Sequence, residues 1–182
     1  MRSTFSVKTR GRTVKGPEDR VDGGLLSYAA GAGAAKKATM SARLFCVDGT
    51  NLVRTAYGCG GPDHRAQETA DCERAAEIFA RLCEELGAAA EVELFFDGAF
   101  RVMPGPRPAN FRVSFARETP ADDLILDRVR ARAWQGGGSV TVVTADGELG
   151  RAATAEGGMW MKVSHGTPPE GVARRIGGRF SR

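Results

Sequence analysis

The sequence predicts an α/β fold with a mainly parallel sheet of about five strands and helices on both faces. Three observations carry it. From residue 43 onward, short apolar runs of strand length alternate with stretches of 3.6-residue apolar periodicity. Three of the runs stop at the same dipeptide, in Val47-Asp48-Gly49, Phe96-Asp97-Gly98 and Ala145-Asp146-Gly147. Strands that alternate with helices take right-handed crossovers and lie parallel, which sends their carboxyl ends to one edge.

Each element has its own signal. Residues 43–47 are a short apolar run, the mark of a buried parallel strand. Residues 69–86 read as a helix, with Cys72, Ala75, Ala76, Phe79, Leu82, Cys83 and Leu86 at three- and four-residue spacing and Gly87 to end it. Residues 92–96 form a second strand, and residues 101–110, with three prolines, a loop. Residues 111–115 alternate Phe111, Val113 and Phe115 with Arg112 and Ser114, as a third strand does. Thr119-Pro120-Ala121-Asp122 opens the next helix, with Thr119 as a cap and Pro120 at the first helical position. That helix runs to about residue 134, with Leu124, Ile125, Val129 and Ala133 as its buried stripe and Gly136-Gly137-Gly138 behind it. Residues 139–144 are a fourth strand, a short helix follows to about residue 156, and residues 159–163 are a fifth strand. Residues 166–182, with Pro168-Pro169 and Arg174-Arg175, read as a loosely ordered tail.

Composition bounds the rest. A chain of 182 residues with 42% apolar residues has the size and make-up of a globular domain. No apolar run approaches the roughly 20 residues that span a bilayer, and no apolar core follows the first basic residues as in a secretory signal, so a cytoplasmic protein is expected. The net charge of +4 is unevenly held: residues 1–39 carry eight basic and three acidic residues, the remainder 18 and 19. Residues 1–39, rich in Gly, Ala, Ser, Lys and Arg without periodicity, are expected to be a disordered basic arm. Two readings stay open for it: an arm adding weak nucleic-acid affinity, or an overlong reading frame ahead of a natural start at Met40. The folded domain is expected over residues 40–165. Cys46, Cys59, Cys72 and Cys83 form no Cys-x-x-Cys pair and have only His64 and His165 beside them, so they read as small apolar side chains and not as a zinc site.

Chemistry concentrates in the acids. In an open parallel sheet, ligands bind at the carboxyl edge where strand order reverses. Asp48, Asp97 and Asp146 from three strand ends, with Asp122 and Asp123 opening a helix at the same edge, would bring up to five carboxylates together. A half-buried cluster of that kind repels itself unless a hard divalent cation neutralises it, and carboxylate oxygens suit Mg²⁺ or Mn²⁺. Such ions activate water and stabilise the leaving oxygen in phosphodiester cleavage. One Asp-Gly after a strand is ordinary turn chemistry; three with an acidic helix start are harder to explain so. Asp48 leads the set because Asn51 follows at a spacing that can set an amide beside the same metal or phosphate. Asp97 is the weakest of the strand-end acids, since a turn alone would account for it.

Asp48-Gly49-Thr50-Asn51-Leu52, Ala121-Asp122-Asp123-Leu124-Ile125 and Val143-Thr144-Ala145-Asp146, in that order, resemble the NYN domain family of PIN-like ribonucleases, in particular its bacterial YacP-like branch. The resemblance includes Phe96-Asp97-Gly98 and residues 113–119 and covers about residues 43–165. It implies a PIN-like Rossmannoid fold, metal-dependent RNA cleavage with Mg²⁺ or Mn²⁺, and RNA as partner, with ribosome association one setting it leaves open. Matched residue by residue, Asp48 is the first metal-site acid with Asn51 in support, Asp122 the second, and Asp146 the third. Thr144 would orient Asp146 or a phosphate, Asp123 would be a solvated neighbour, and Glu148 is the nearest candidate for the further acid that many PIN-like enzymes carry. Arg54, Arg101, Arg107 and Arg117 are the candidate phosphate contacts, and Tyr57 a candidate base-stacking residue. The loop of residues 58–61 fits no phosphate-loop pattern.

Other classes compete. An RNA-binding module of the same fold, with little or no cleavage, is compatible with the weak match at the further acid. An Asp-x-Asp phosphatase would need Asp where Thr50 stands, and a dinucleotide-binding domain would need Gly-x-Gly-x-x-Gly after the first strand. His64 and His165 read as surface residues, which leaves no Ser-His-Asp set.

Overall fold

The computed structural model describes residues 42–58 and 64–181. The expectations for residues 1–39 and for Cys59, Gly60 and Gly61 lie outside them. Among the described residues, five strands and five α-helices follow in the order β1 (Arg43–Asp48), α1 (Gly49–Tyr57), α2 (Arg65–Leu86), β2 (Ala90–Asp97), β3 (Phe111–Ala116), α3 (Ala121–Trp134), β4 (Val140–Thr144), α4 (Gly147–Ala155), β5 (Met159–Lys162) and α5 (Pro169–Gly177). The strands form one sheet in the order β3-β2-β1-β4-β5, and every neighbouring pair is parallel. The chain steps outward from β1 through β2 to β3, then returns to lay β4 on the other side of β1. The strand order therefore reverses between β1 and β4, where Val47 pairs with Val143.

Side-chain alternation divides the core in two. Phe45 and Val47 of β1 and Leu94 and Phe96 of β2 pack with α1, α2 and α5 on one face. Leu44, Cys46, Phe95 and Val142 pack with Ile125 and Val129 of α3 and with Leu149 and Ala153 of α4 on the other. Burial on both faces explains why β1 reads as a short apolar run. Cys46, Cys72 and Cys83 are buried, and burial pushes the Cys46 and Cys83 thiols upward, away from reactivity.

The structure departs from the sequence reading in four places. Residues 49–57, given no element, form α1: Asp48 caps it by accepting from the Asn51 N–H, and Gly58 ends it in the left-handed region at φ 67°. Helix α2 starts at Arg65, four residues before the first expected. Thr119 does not cap α3; Pro120 occupies the cap position without a side-chain bond, and Ala133 is exposed. The expected loose tail instead contains α5, whose Val172 and Ile176 are fully buried. Pro169 sits at the first turn of that helix, where its missing N–H costs nothing, so the Pro-Pro pair begins structure here and does not break it. No helix among the described residues is long and apolar enough to cross a membrane.

Candidate active site

Asp48 ends β1 at the point of strand reversal and is only 4% exposed. Both its carboxylate oxygens are held: Oδ1 accepts from the Asn51 N–H at 3.1 Å, and Oδ2 accepts from the Thr144 hydroxyl at 2.9 Å. The same hydroxyl accepts from the Asp146 N–H at 3.0 Å, so one Thr oxygen links the acids of β1 and of the loop after β4. Asn51 adds a second link, its Oδ1 accepting from the Ala145 N–H at 3.1 Å. The backbone carbonyl of Thr144 accepts from the Trp160 indole N–H at 3.2 Å, which braces the far side of the strand. Asn51 thus positions the site through its carbonyl. Thr144, expected to orient Asp146 or a phosphate, is 1% exposed, and its hydroxyl is engaged by Asp48 and by the Asp146 N–H.

Local packing explains two glycines. A Cβ on Gly49 would lie 2.5 Å from the Phe96 ring, so Asp48-Gly49 reflects close approach of α1 to β2 and not a left-handed turn. A Cβ on Gly150 would lie 2.2 Å from the Trp160 ring, which rests against α4. Thr50, which accepts from the Asp97 N–H at 2.8 Å, and Trp160 support the site; Thr50 stands inside the Asp48–Leu52 motif without a role expected of it, and no sequence motif marks Trp160.

Three acids each meet a helix N-terminus. Asp48 caps α1, and Asp146 Oδ1 caps α4 by accepting from the Glu148 and Leu149 N–H groups at 2.6 and 3.1 Å. Asp97 Oδ1 accepts from the Ala121 N–H at 3.0 Å and so holds the start of α3, the task expected of Thr119. The partial positive ends of three helices thereby face the acids and offset some of their repulsion. Capping alone accounts for each of these Asp residues singly, but not for Asp122, which caps nothing and stands on the first turn of α3 beside them.

Electrostatics tie the group together. Burial raises the Asp48 carboxyl from 3.8 to about 7, against the lowering effect of its two hydrogen bonds, and Asp122 and Asp97 add to the rise. Asp122 is also raised, first by burial and then by Asp146, Asp97 and Asp123. Asp122 thus interacts with Asp97, Asp123 and Asp146, and its own charge raises Asp48. Among the described residues, no Lys, Arg or His forms an ion pair with Asp48, Asp97, Asp122, Asp123 or Asp146. All-oxygen donors with no counter-charge fit a hard divalent cation in ligand chemistry. They are not pregathered, however: no three His, Cys, Asp or Glu side chains among the described residues already stand at metal-binding spacing. Asp122, half-buried, and Asp97 and Asp123, exposed, are the members with room to turn. Glu148 contributes its N–H to Asp146 while its side chain is exposed.

The expected RNA contacts separate. Arg54, in the last turn of α1, is spent on Glu68 at 2.9 Å. Tyr57, 40% exposed, ends that same helix, away from the sheet edge where the helix starts. Arg117 is exposed between β3 and α3, next to the acids of α3. Arg101 lies over the rings of Phe96 and Phe115, at 5.7 and 5.3 Å from their centroids, and Arg107 donates to the Met103 carbonyl at 2.9 Å.

A five-stranded parallel sheet in this order, with helices on both faces and acids at its switch point, is an α/β fold that solved structures also show. The particular likeness is to a crystal structure of Rae1 (YacP) from Bacillus subtilis, a tryptophan-to-leucine mutant, with TM-score 0.50 and 18% sequence identity over 75% of this chain and 78% of that one. At that identity the likeness concerns the fold. No protein-family model matches the chain, and no curated protein matches it.

Proposed function

We propose that the chain is a metal-dependent endoribonuclease that hydrolyses RNA phosphodiester bonds at Asp48, Asp122 and Asp146. The observation that carries this reading is Asp48: a carboxyl buried at the switch point, held on both oxygens, raised to about 7, and ringed by further acids with no basic partner among the described residues. Buried acids kept for stability alone are normally paired. The likeness in fold to Rae1 (YacP) supports the reading, and the resemblance of the motifs implies RNA as substrate and leaves ribosome association open as a setting.

Asp48, Asp122 and Asp146 would hold Mg²⁺ or Mn²⁺, with Asp97 and Asp123 as neighbouring carboxylates. When bound, such an ion supplies charge to the scissile phosphate and lowers the pKa of a water. The chain's own residues do the positioning. Thr144 and Asn51 keep Asp48 and the Asp146 loop at constant separation, and Asp97 anchors the helix that presents Asp122. Arg117, exposed between β3 and α3, would meet a phosphate at the edge.

The test is cleavage of dye-labelled single-stranded RNA by the purified chain in Mg²⁺, in Mn²⁺ and in chelator. Cleavage should require the ion and fall by on the order of 100-fold in Asp48→Asn and Asp146→Asn, both of which keep a cap oxygen. The second reading, a binding module, is favoured by one observation: the acids are not pregathered at metal-binding spacing. RNA binding without cleavage across both ions would establish that reading and refute the nuclease.

A further inference from the structure

We infer that the groove along the outer edge of β3 is a subsite for one unpaired base of an RNA strand that continues onto the acidic edge. The inference rests on the nuclease reading and deepens it by naming how the substrate is gripped. β3 ends the sheet, and its outer side meets the connection between β2 and β3 where another strand would otherwise lie. Between them is a cavity of about 320 Å³, walled by Phe100, Arg101, Pro104, Arg107 and Phe115. That is the lower end of the range for small-ligand sites, and it suits a single nucleoside.

Its place in the chain aims it at the acids. Phe115 pairs in register with Phe96, the residue before Asp97, and Phe100 follows Asp97 by three positions. The Phe100–Phe115 part of the groove therefore lies toward the strand ends that carry Asp97. Phe100 is 61% exposed, standing edge-on to Phe115 with centroids 5.6 Å apart. An exposed aromatic ring beside a guanidinium that already lies on two rings is a stacking platform, and stacking of this kind tolerates any base.

Charge points the same way. Neither Arg101 nor Arg107 forms an ion pair with a described acid, and the Arg101 Nε is buried without a hydrogen-bond partner among the described residues. Rings, and not a carboxylate, hold this cation in place. The one acid lining the groove is already neutralised: Glu93 accepts from Ser114 at 2.7 Å and from Arg128 at 2.9 Å. The groove thus offers a net positive, aromatic surface, which complements a nucleotide and its phosphate.

The test measures the affinity of a dye-labelled single-stranded RNA for the full chain carrying Asp146→Asn, with inorganic polyphosphate as a base-free polyanion. Phe100→Ala should weaken RNA binding about 10-fold and leave polyphosphate unchanged, and Phe100→Trp should restore it. Arg107→Ala should weaken both ligands. Wild-type RNA affinity in Phe100→Ala, or equal losses for RNA and polyphosphate, overturns the inference. So would a groove that captures an extended peptide on the β3 edge in competition with no RNA. If the otherwise wild-type chain cleaves RNA and Phe100→Ala leaves KM untouched, the subsite alone falls. If that chain neither cleaves nor binds RNA, the nuclease reading falls with it.

Discussion

Asp48 carries two tasks that pull its ionisation in opposite directions. As the cap of α1 it gains from a negative charge; as a buried group among acids it gains from a proton. Burial wins, and the folded carboxyl titrates near 7 against 3.8 for the free group. The stability this group contributes by staying protonated is full below about pH 4 and is lost as pH rises through about 7. In chelator at pH 8, Asp48→Asn is therefore expected to be more stable than wild type by about 1–3 kcal/mol, and the gap should close by pH 4. Urea denaturation at both pH values measures it. A variant less stable than wild type at pH 8 would mean that the capping charge outweighs burial. From sequence, Asp48 was legible as a strand end. Its bond to Thr144, 96 residues away, was not, because no periodicity encodes which two strands become neighbours.

At the scale of elements, the same acids that gather at the edge also start helices. A strand that ends in Asp and runs straight into a helix satisfies a cap and a site with one residue, which is why β1–α1 and β4–α4 need almost no loop. Helix α1 went unread because its nine residues contain few apolar ones and its start was taken up by the Asp-Gly turn signal. Helix α5 went unread because two prolines and two arginines suggested a tail. Its burial makes a clear prediction: Ile176→Ala should cost about 2–5 kcal/mol in urea denaturation, whereas a loosely ordered tail would give under about 0.5 kcal/mol.

At the scale of the sheet, the consequence of the strand order is that acids distant in sequence share one edge without an ion-pair partner among the described residues. Metal binding should therefore act on global stability. Mn²⁺ or Mg²⁺ at about ten times its Kd should raise the Tm at pH 8 by roughly 3–5 °C. The shift should shrink at pH 5.5, where the Asp48 proton competes, and vanish in Asp48→Asn. Differential scanning fluorimetry with and without chelator checks it. Equal shifts at both pH values, or in the variant, would place the ion elsewhere. The arginines illustrate the same dependence on three dimensions. Arg54 and Arg101 look alike in the sequence, but α1 turns the first toward Glu68, and the β2–β3 connection lays the second on two phenylalanine rings.

The sequence by itself determined the α/β class, five strands close to their observed bounds, and the three Asp residues at strand ends. Each of these is written in local apolar periodicity and in the residue that stops it. Only the tertiary structure decided which ends adjoin, that Thr144 and Asn51 tie Asp48 to the Asp146 loop, that Asp97 caps α3, and that α5 closes the core. Those outcomes depend on strand order and on contacts between residues far apart in the chain, where the free energy of packing chooses among arrangements that local patterns leave equal.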